Sequence, residues 1–137
     1  MQFLTFRLKN FYFGILTENV IEITKTHDLK QVPKSPEWVE GLINLRGEVV
    51  TLVNMYSLLS INDFSIVDCY KNTIITKTQN NSIALMVDEV IGVYDIEEDD
   101  IQSTSDNENS FVSSLVTIDD QITKVLELNS LIEEIEG

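Results

Sequence analysis

The segment Gly41–Val50 holds the side chain best suited to specific recognition, an arginine at a tight turn. Arg46 and Gly47 lie between two apolar segments, and glycine readily adopts the positive φ that a short β-hairpin turn needs. A guanidinium carries five N–H donors in a planar fork, so it can bind a carboxylate at two points. The sequence therefore predicts a β-hairpin that presents Arg46 to a carboxylate. An exposed arginine without a specific partner is the alternative.

Residues for nucleophilic or metal-dependent catalysis are scarce in this chain. His27 is the only histidine and Cys69 the only cysteine. A serine or cysteine nucleophile normally needs a histidine base, and a closed zinc shell takes about four ligands. We interpret Cys69 as a packed thiol, since a single cysteine forms no intrachain disulfide. The sequence predicts no enzyme and no metal site; a small hydrolase or metal-binding protein that uses these residues is an alternative.

An acidic run could offer oxygen ligands to calcium at Asp95, Glu97, Asp99 and Asp100. In a calcium loop that began at Asp95, the sixth position would need glycine and the twelfth glutamate, and these positions hold Asp100 and Asp106. We interpret the run as a solvated acidic edge. The chain also lacks glycine-rich phosphate-binding motifs, so we predict no cofactor.

The net charge of −14 arises almost entirely after residue 87, where the sequence contains 15 acidic residues and a single basic one, Lys124. Nucleic acids and anionic membranes are bound chiefly through lysine and arginine, so both are improbable partners. A basic protein surface is the better candidate. No secretory signal and no apolar run long enough to cross a membrane are present, which predicts a cytoplasmic location without membrane insertion.

Short apolar segments separated by turn signals recur along the chain. This pattern predicts a mostly-β fold, whose strands position the residues discussed above. We expect turns at Asn80-Asn81 and Asp119-Asp120. The predicted strands lie near residues 2–9, 12–16, 21–32, 42–46, 49–53, 72–78, 82–87, 92–96, 113–118 and 122–127. Two short helices should begin after caps at Asn54 and Asn129, and a shorter turn should follow Ser35.

A faint internal repeat relates the two halves of the chain. Val49–Leu59 aligns with Ile122–Ile132, Leu42–Leu45 with Leu115–Ile118, and Ile15–Ile23 with Leu85–Val93, in the same order. The repeat predicts two units of about five strands each. Amphipathic strands in this number usually close into barrels or sandwiches.

The succession of segments in this chain resembles the CheW family of chemotaxis coupling proteins. The asparagine-leucine-arginine-glycine sequence of the hairpin is the most recognisable motif of that family. The matching segments are Phe3–Phe6, Phe13–Ile15, Val20–Ile23, Val32–Gly41, Asn44–Gly47 and Ile83–Val90.

The resemblance implies a mostly-β CheW-like domain made of two five-stranded SH3-like barrels. We expect subdomain 1 at about residues 12–68, completed by the C-terminal helix or the N-terminal strand, and subdomain 2 at about 70–128. Members of the family are non-catalytic adaptors that couple the cytoplasmic tips of methyl-accepting chemotaxis receptors to the regulatory domain of the histidine kinase CheA. The implied protein is a monomer on its own and needs no cofactor.

The resemblance also implies site residues, carried over position by position. The coupling hairpin comprises Glu22, Asn44, Arg46 and Gly47, and we predict that Glu22 and Arg46 lie close together or serve the same surface. An apolar groove between subdomains would bind receptors through Val20, Ile75, Val90 and Val93, and the kinase would bind at Leu29, Val32 and Gly41. The valines and isoleucine could instead be core residues, and Gly41 could be a helix cap.

A second interpretation keeps the fold but changes the pathway. The chain would then be a CheW-like protein-binding module in a two-component system other than chemotaxis, such as one that controls surface motility.

Overall fold

The computed structural model describes residues 1–25, 39–59, 72–78, 82–103 and 111–136. Within these ranges the protein forms eleven strands, two α-helices and two 3₁₀ turns at Thr17–Asn19 and Glu98–Asp100. The strands are β1 Gln2–Leu8, β2 Phe11–Leu16, β3 Val20–Thr24, β4 Val39–Leu45, β5 Glu48–Asn54, β6 Asn72–Lys77, β7 Ser82–Val87, β8 Glu89–Asp95, β9 Gln102–Ser103, β10 Val112–Ile118 and β11 Gln121–Leu126. The helices are α1 Met55–Leu58 and α2 Leu128–Glu136. The predicted mostly-β fold is confirmed.

The N-terminus of α2 differs from the prediction. The helix begins at Leu128, so Asn129 is its second residue and not its cap. The backbone N–H of Asn129 donates a hydrogen bond to Oε1 of Glu127 at 3.0 Å. A carboxylate that accepts a bond from a first-turn N–H fills the role of a cap, and its charge suits the positive end of the helix dipole. The expected turns after Ser35 and at Asn80-Asn81 lie outside the described residues.

The chain divides into two compact units that do not follow its two halves. Unit 1 comprises Met1–Asn19 and Val90–Gly137, and unit 2 comprises Val20–Glu89. Subdomains at about 12–68 and 70–128 are therefore not the division that the structure shows. The reason is strand pairing: the β1–β2 hairpin joins strands from the C-terminal half through a parallel pairing of β2 with β11.

Unit 1 contains a six-stranded sheet in the order β8-β1-β2-β11-β10-β9. Phe6 and Phe13 face each other across β1 and β2, with ring centroids 5.8 Å apart. Phe3, Val116 and Val125 form a buried cluster in the same unit. Strand β10 alternates between buried and more accessible residues, whereas four consecutive residues of β1, Phe3–Phe6, are buried, so β1 is buried on both of its faces.

Unit 2 contains a five-stranded sheet in the order β3-β6-β7-β5-β4. Its core is apolar, and β5 pairs with β7 in parallel. The buried cluster consists of Ile43, Val50, Leu52, Ile75, Ala84 and Met86.

The internal repeat is visible in the strand orders. The sheet of unit 2 has the order β3-β6-β7-β5-β4. The strands at equivalent positions of the repeat in unit 1 follow the same order, β8-β1-β2-β11-β10. The parallel pairings also agree residue by residue. Thr51 pairs with Ile83 in unit 2, and the residues at the equivalent positions of unit 1, Lys124 and Phe13, pair with each other. The first hairpin of each half therefore completes the sheet of the other half.

Candidate functional site

The β4–β5 hairpin closes through a two-residue turn at Arg46 and Gly47. Leu45 and Glu48 are the last paired residues of the two strands. Arg46 has φ 52° and Gly47 has φ 84°, so both central residues are left-handed, as the favoured two-residue hairpin turn requires. Oδ1 of Asn44 accepts a hydrogen bond from the Gly47 N–H at 3.0 Å and helps to fix the turn. The predicted hairpin is confirmed.

Arg46 and Glu22 form an ion pair, with Nη2 of the arginine 2.9 Å from Oε2 of the glutamate. The predicted proximity of these two residues is therefore confirmed. The arginine side chain is 78% exposed and the glutamate side chain 26% exposed. Oε2 itself has almost no accessible surface and makes no aligned hydrogen bond, so the contact is primarily electrostatic. The guanidinium thus lies at the surface with its orientation set by a partly buried carboxylate.

Two isoleucines on β3 flank Glu22 in the sequence and are exposed. Ile21 is 47% exposed and Ile23 43%. Because side chains alternate along a strand, Ile23 points to the face opposite Glu22, whereas Ile21 lies where the register between β3 and β6 shifts. Val49, three residues after Arg46, is 64% exposed. These residues were not predicted as part of the site, because β-branched residues in a strand normally indicate the core, and only the alternation with Glu22 suggests that they are exposed.

The residues predicted to bind receptors have very different exposures. Val93 is 52% exposed, and Val20 and Val90 are half-buried. Ile75 has 0% exposure and belongs to the core of unit 2. A fully buried side chain offers a partner no surface, so Ile75 acts as a core residue in this structure.

Of the residues predicted to bind the kinase, only Gly41 lies within the described ranges. It is buried in β4, where it is opposite Leu52. Its position within a strand rules out the alternative role as a helix cap. Leu29 and Val32 lie outside the described residues, as do His27 and Cys69.

An open cavity of about 530 Å³ in unit 1 adjoins the acidic run. Asp99, Asp100 and Gln102 line it together with apolar residues that include Ile122. Gln102 and Ser103 form strand β9, which pairs with β10 and is not among the predicted strands. In the described part of the chain no three histidine, cysteine or acidic side chains are placed to hold a metal ion together. Neither described helix is long and apolar enough to cross a membrane.

The family model and the similar proteins described below all match CheW proteins over nearly the whole length of this chain. Residues 2–136 match the family model described as CheW-like domain. The chain is 31% identical to the chemotaxis protein CheW of Thermotoga maritima over 134 residues, which cover 96% of this chain and 87% of that protein. It is 26% identical to the probable chemotaxis protein CheW of Rhizobium etli, with 99% and 90% of the two chains covered.

A solved structure shares the fold. The scaffolding protein TtCheW from Thermoanaerobacter tengcongensis superposes with a TM-score of 0.85 at 25% sequence identity. The match covers 95% of this chain and 86% of the other.

Proposed function

Because the chain belongs to the CheW family, we propose that it is a non-catalytic adaptor that couples the cytoplasmic tips of chemoreceptors to the histidine kinase CheA. The observation that carries the proposal is the Glu22–Arg46 ion pair, which holds an exposed guanidinium beside a strand with exposed isoleucines. Arginine and apolar side chains in combination are typical of protein interfaces. The adaptor would work in the cytoplasm and reach the membrane only through its receptors.

The side chains proposed to bind receptors are those of Val90 and Val93 in unit 1 and of Val20 in unit 2, and all three are accessible. Ile75 is left out because it is fully buried. Accessible apolar side chains of this kind suit the apolar face of a receptor helix. The proposed kinase surface comprises Leu29 and Val32, and Gly41 is left out because it is buried in β4.

Co-sedimentation with receptor tips and with the regulatory domain of CheA tests this function directly. Binding of both proteins is the expected result. Binding of neither would contradict a chemotaxis adaptor and would favour a CheW-like module of another two-component pathway.

The substitution Arg46→Ala tests the assignment of the hairpin. We expect the affinity for receptor or kinase to fall at least about fivefold, because interface arginines often contribute more than 1 kcal/mol. Stability should stay within about 0.5 kcal/mol, since arginine and alanine carry the same Cβ in the left-handed turn. The matched control is Lys77→Ala, which removes an exposed cation elsewhere in unit 2. Unchanged binding of both partners by Arg46→Ala would contradict the assignment.

A further inference from the structure

The two units expose apolar residues at equivalent positions of the internal repeat. Ile21 and Ile23 of unit 2 correspond to Ile91 and Val93 of unit 1, which are 40% and 52% exposed. Val49 likewise corresponds to Ile122, and these residues are 64% and 66% exposed. The repeat is therefore preserved in the surface of the protein as well as in its core.

The charged residues at these positions differ between the units. In the repeat, Glu22 corresponds to Gly92 and Arg46 corresponds to Asp119. Asp119 and Asp120 form the turn of the β10–β11 hairpin with φ 49° and 65°, the same left-handed conformation as Arg46 and Gly47. Unit 1 thus repeats the backbone of the ion-pair site without its glutamate and without its cation.

A cavity of about 200 Å³ lies at this place in unit 1. Its lining includes Thr5, Tyr12, Ile91, Tyr94, Asp119 and Thr123. The volume is smaller than the 300 to 1,000 Å³ of most small-molecule sites and is of the order of one large side chain.

Asp119 has an aromatic partner in this cavity. The hydroxyl of Tyr94 donates to Oδ2 of Asp119 over 3.4 Å, a long hydrogen bond. The Tyr94 ring lies beside Gly92, where a Cβ would make an ordinary contact with the ring at 3.4 Å. In the part of the chain that the structure describes, Asp119 makes no ion pair with a lysine or arginine.

We propose that this cavity receives an arginine side chain of a partner protein, which supplies from outside the cation that Arg46 supplies within unit 2. A carboxylate beside tyrosine rings suits a guanidinium, because the planar group can bond to the carboxylate and stack on an aromatic face. Ile91 and Val93 provide an apolar surface for the residues that flank the arginine. Most of the acidic residues of the chain lie in Val90–Gly137, which favours the approach of a basic partner.

This proposal does not depend on which proteins the adaptor couples, so it can be tested without receptors or CheA. The probe is a pentapeptide of alternating valine and threonine with a central arginine. Its control is the same peptide with citrulline, a neutral isostere, in place of arginine. Titration into the ¹⁵N-labelled full chain should shift the amide resonances of Ile91, Tyr94 and Asp119, and the arginine peptide should bind at least about fivefold more tightly than the citrulline peptide.

Two matched variants separate the cavity from general electrostatic attraction. Asp119→Asn should remove the preference for arginine, and asparagine tolerates the left-handed turn, so the fold should be retained. Asp120→Asn changes the net charge equally at the neighbouring residue and should leave the preference within about twofold. Equal affinity of the two peptides, a preference that survives in Asp119→Asn, an equal loss in both variants, or no shift with either peptide would each overturn the proposal.

Discussion

Arg46 combines a side chain proposed to bind partners with a backbone conformation that arginine rarely adopts. Its φ of 52° is left-handed, where a side chain with a Cβ is strained by about 1 kcal/mol or more. Asparagine is the usual residue at this position of a two-residue hairpin turn, followed by glycine. The turn is therefore not optimised for stability, which supports the proposed role of the guanidinium in recognition.

The substitution Arg46→Asn separates these two properties. Asparagine-glycine is the most favourable sequence for this turn, whereas the exposed ion pair contributes only about 0–1 kcal/mol. We expect the free energy of unfolding to stay the same or to rise by up to about 1 kcal/mol, while partner binding weakens as in Arg46→Ala. Urea denaturation and a binding titration measure the two quantities. A loss of stability above about 1 kcal/mol would mean that the ion pair mainly stabilises the fold.

Gly47 illustrates a residue whose requirement is purely conformational. A Cβ at Gly47 would meet no atom within 4 Å, but the φ of 84° is costly for any residue with a side chain. Gly47→Ala should lower the free energy of unfolding by about 1–2 kcal/mol in chemical denaturation. Gly14→Ala is the control, because a Cβ there makes ordinary contacts at 3.5 Å or more and its backbone has no such constraint. Equal effects of the two substitutions would contradict this explanation.

Among the elements, ten of the eleven described strands followed from the local pattern, whereas the short strand β9 and the start of α2 did not. Asparagine is a favoured cap and glutamate is not, so the sequence pointed to Asn129. The structure places the cap two residues earlier, at Glu127, whose backbone carbonyl also accepts the N–H of Leu131 at 3.1 Å. Leu128, Leu131 and Ile132 are buried, so the helix position is set by apolar packing and the available polar residue then serves as the cap.

This assignment makes a prediction that distinguishes the two candidate caps. Glu127→Ala should lower the free energy of unfolding by about 0.5–1 kcal/mol, because it leaves the first-turn N–H of Asn129 without its side-chain acceptor. Asn129→Ala should change it by less than about 0.5 kcal/mol, since this side chain is exposed within the first turn. Thermal unfolding of the two variants measures the difference. The reverse order of effects would restore Asn129 as the cap.

In the molecule as a whole, each half of the sequence contributes its first hairpin to the sheet of the other half. As a result, neither unit coincides with one half of the sequence. Unit 2 is formed by the continuous segment Val20–Glu89, whereas unit 1 needs both ends of the chain. A cut between the halves would separate β1 and β2 from β11 and would separate β5 from β7. The sheets, and not the two halves of the sequence, are therefore the folding units that we expect.

Fragments of the chain can test this division. Residues 1–68 and 70–137 correspond to the halves of the repeat, and each should lack a cooperative thermal transition alone because its sheets are incomplete. Residues 20–89 contain all five strands of unit 2 and should show strand-like circular dichroism with a cooperative transition. A fragment 1–68 that folds as well as 20–89 would show that the halves are independent.

Much of the secondary structure of this protein, and its family, could be predicted from the amino-acid sequence. The pattern of apolar and turn residues is a local signal, and it determined the predicted strands and the two left-handed turns at Arg46-Gly47 and Asp119-Asp120. The succession of these segments also identified the family. The proximity of Glu22 and Arg46 was also anticipated, although that came from the resemblance to the family and not from a local pattern.

Long-range packing, in contrast, determined which strands pair across the chain and which apolar residues are exposed. Ile75 and Ile23 look alike in sequence, yet one is fully buried and the other 43% exposed, since β6 lies between two strands and β3 has a single neighbour at the end of its sheet order. The pairing of β2 with β11 joins residues from opposite ends of the chain, and no local pattern encodes it. Period-two alternation identifies the two faces of a strand, but the packing of distant segments determines which face remains open to a partner.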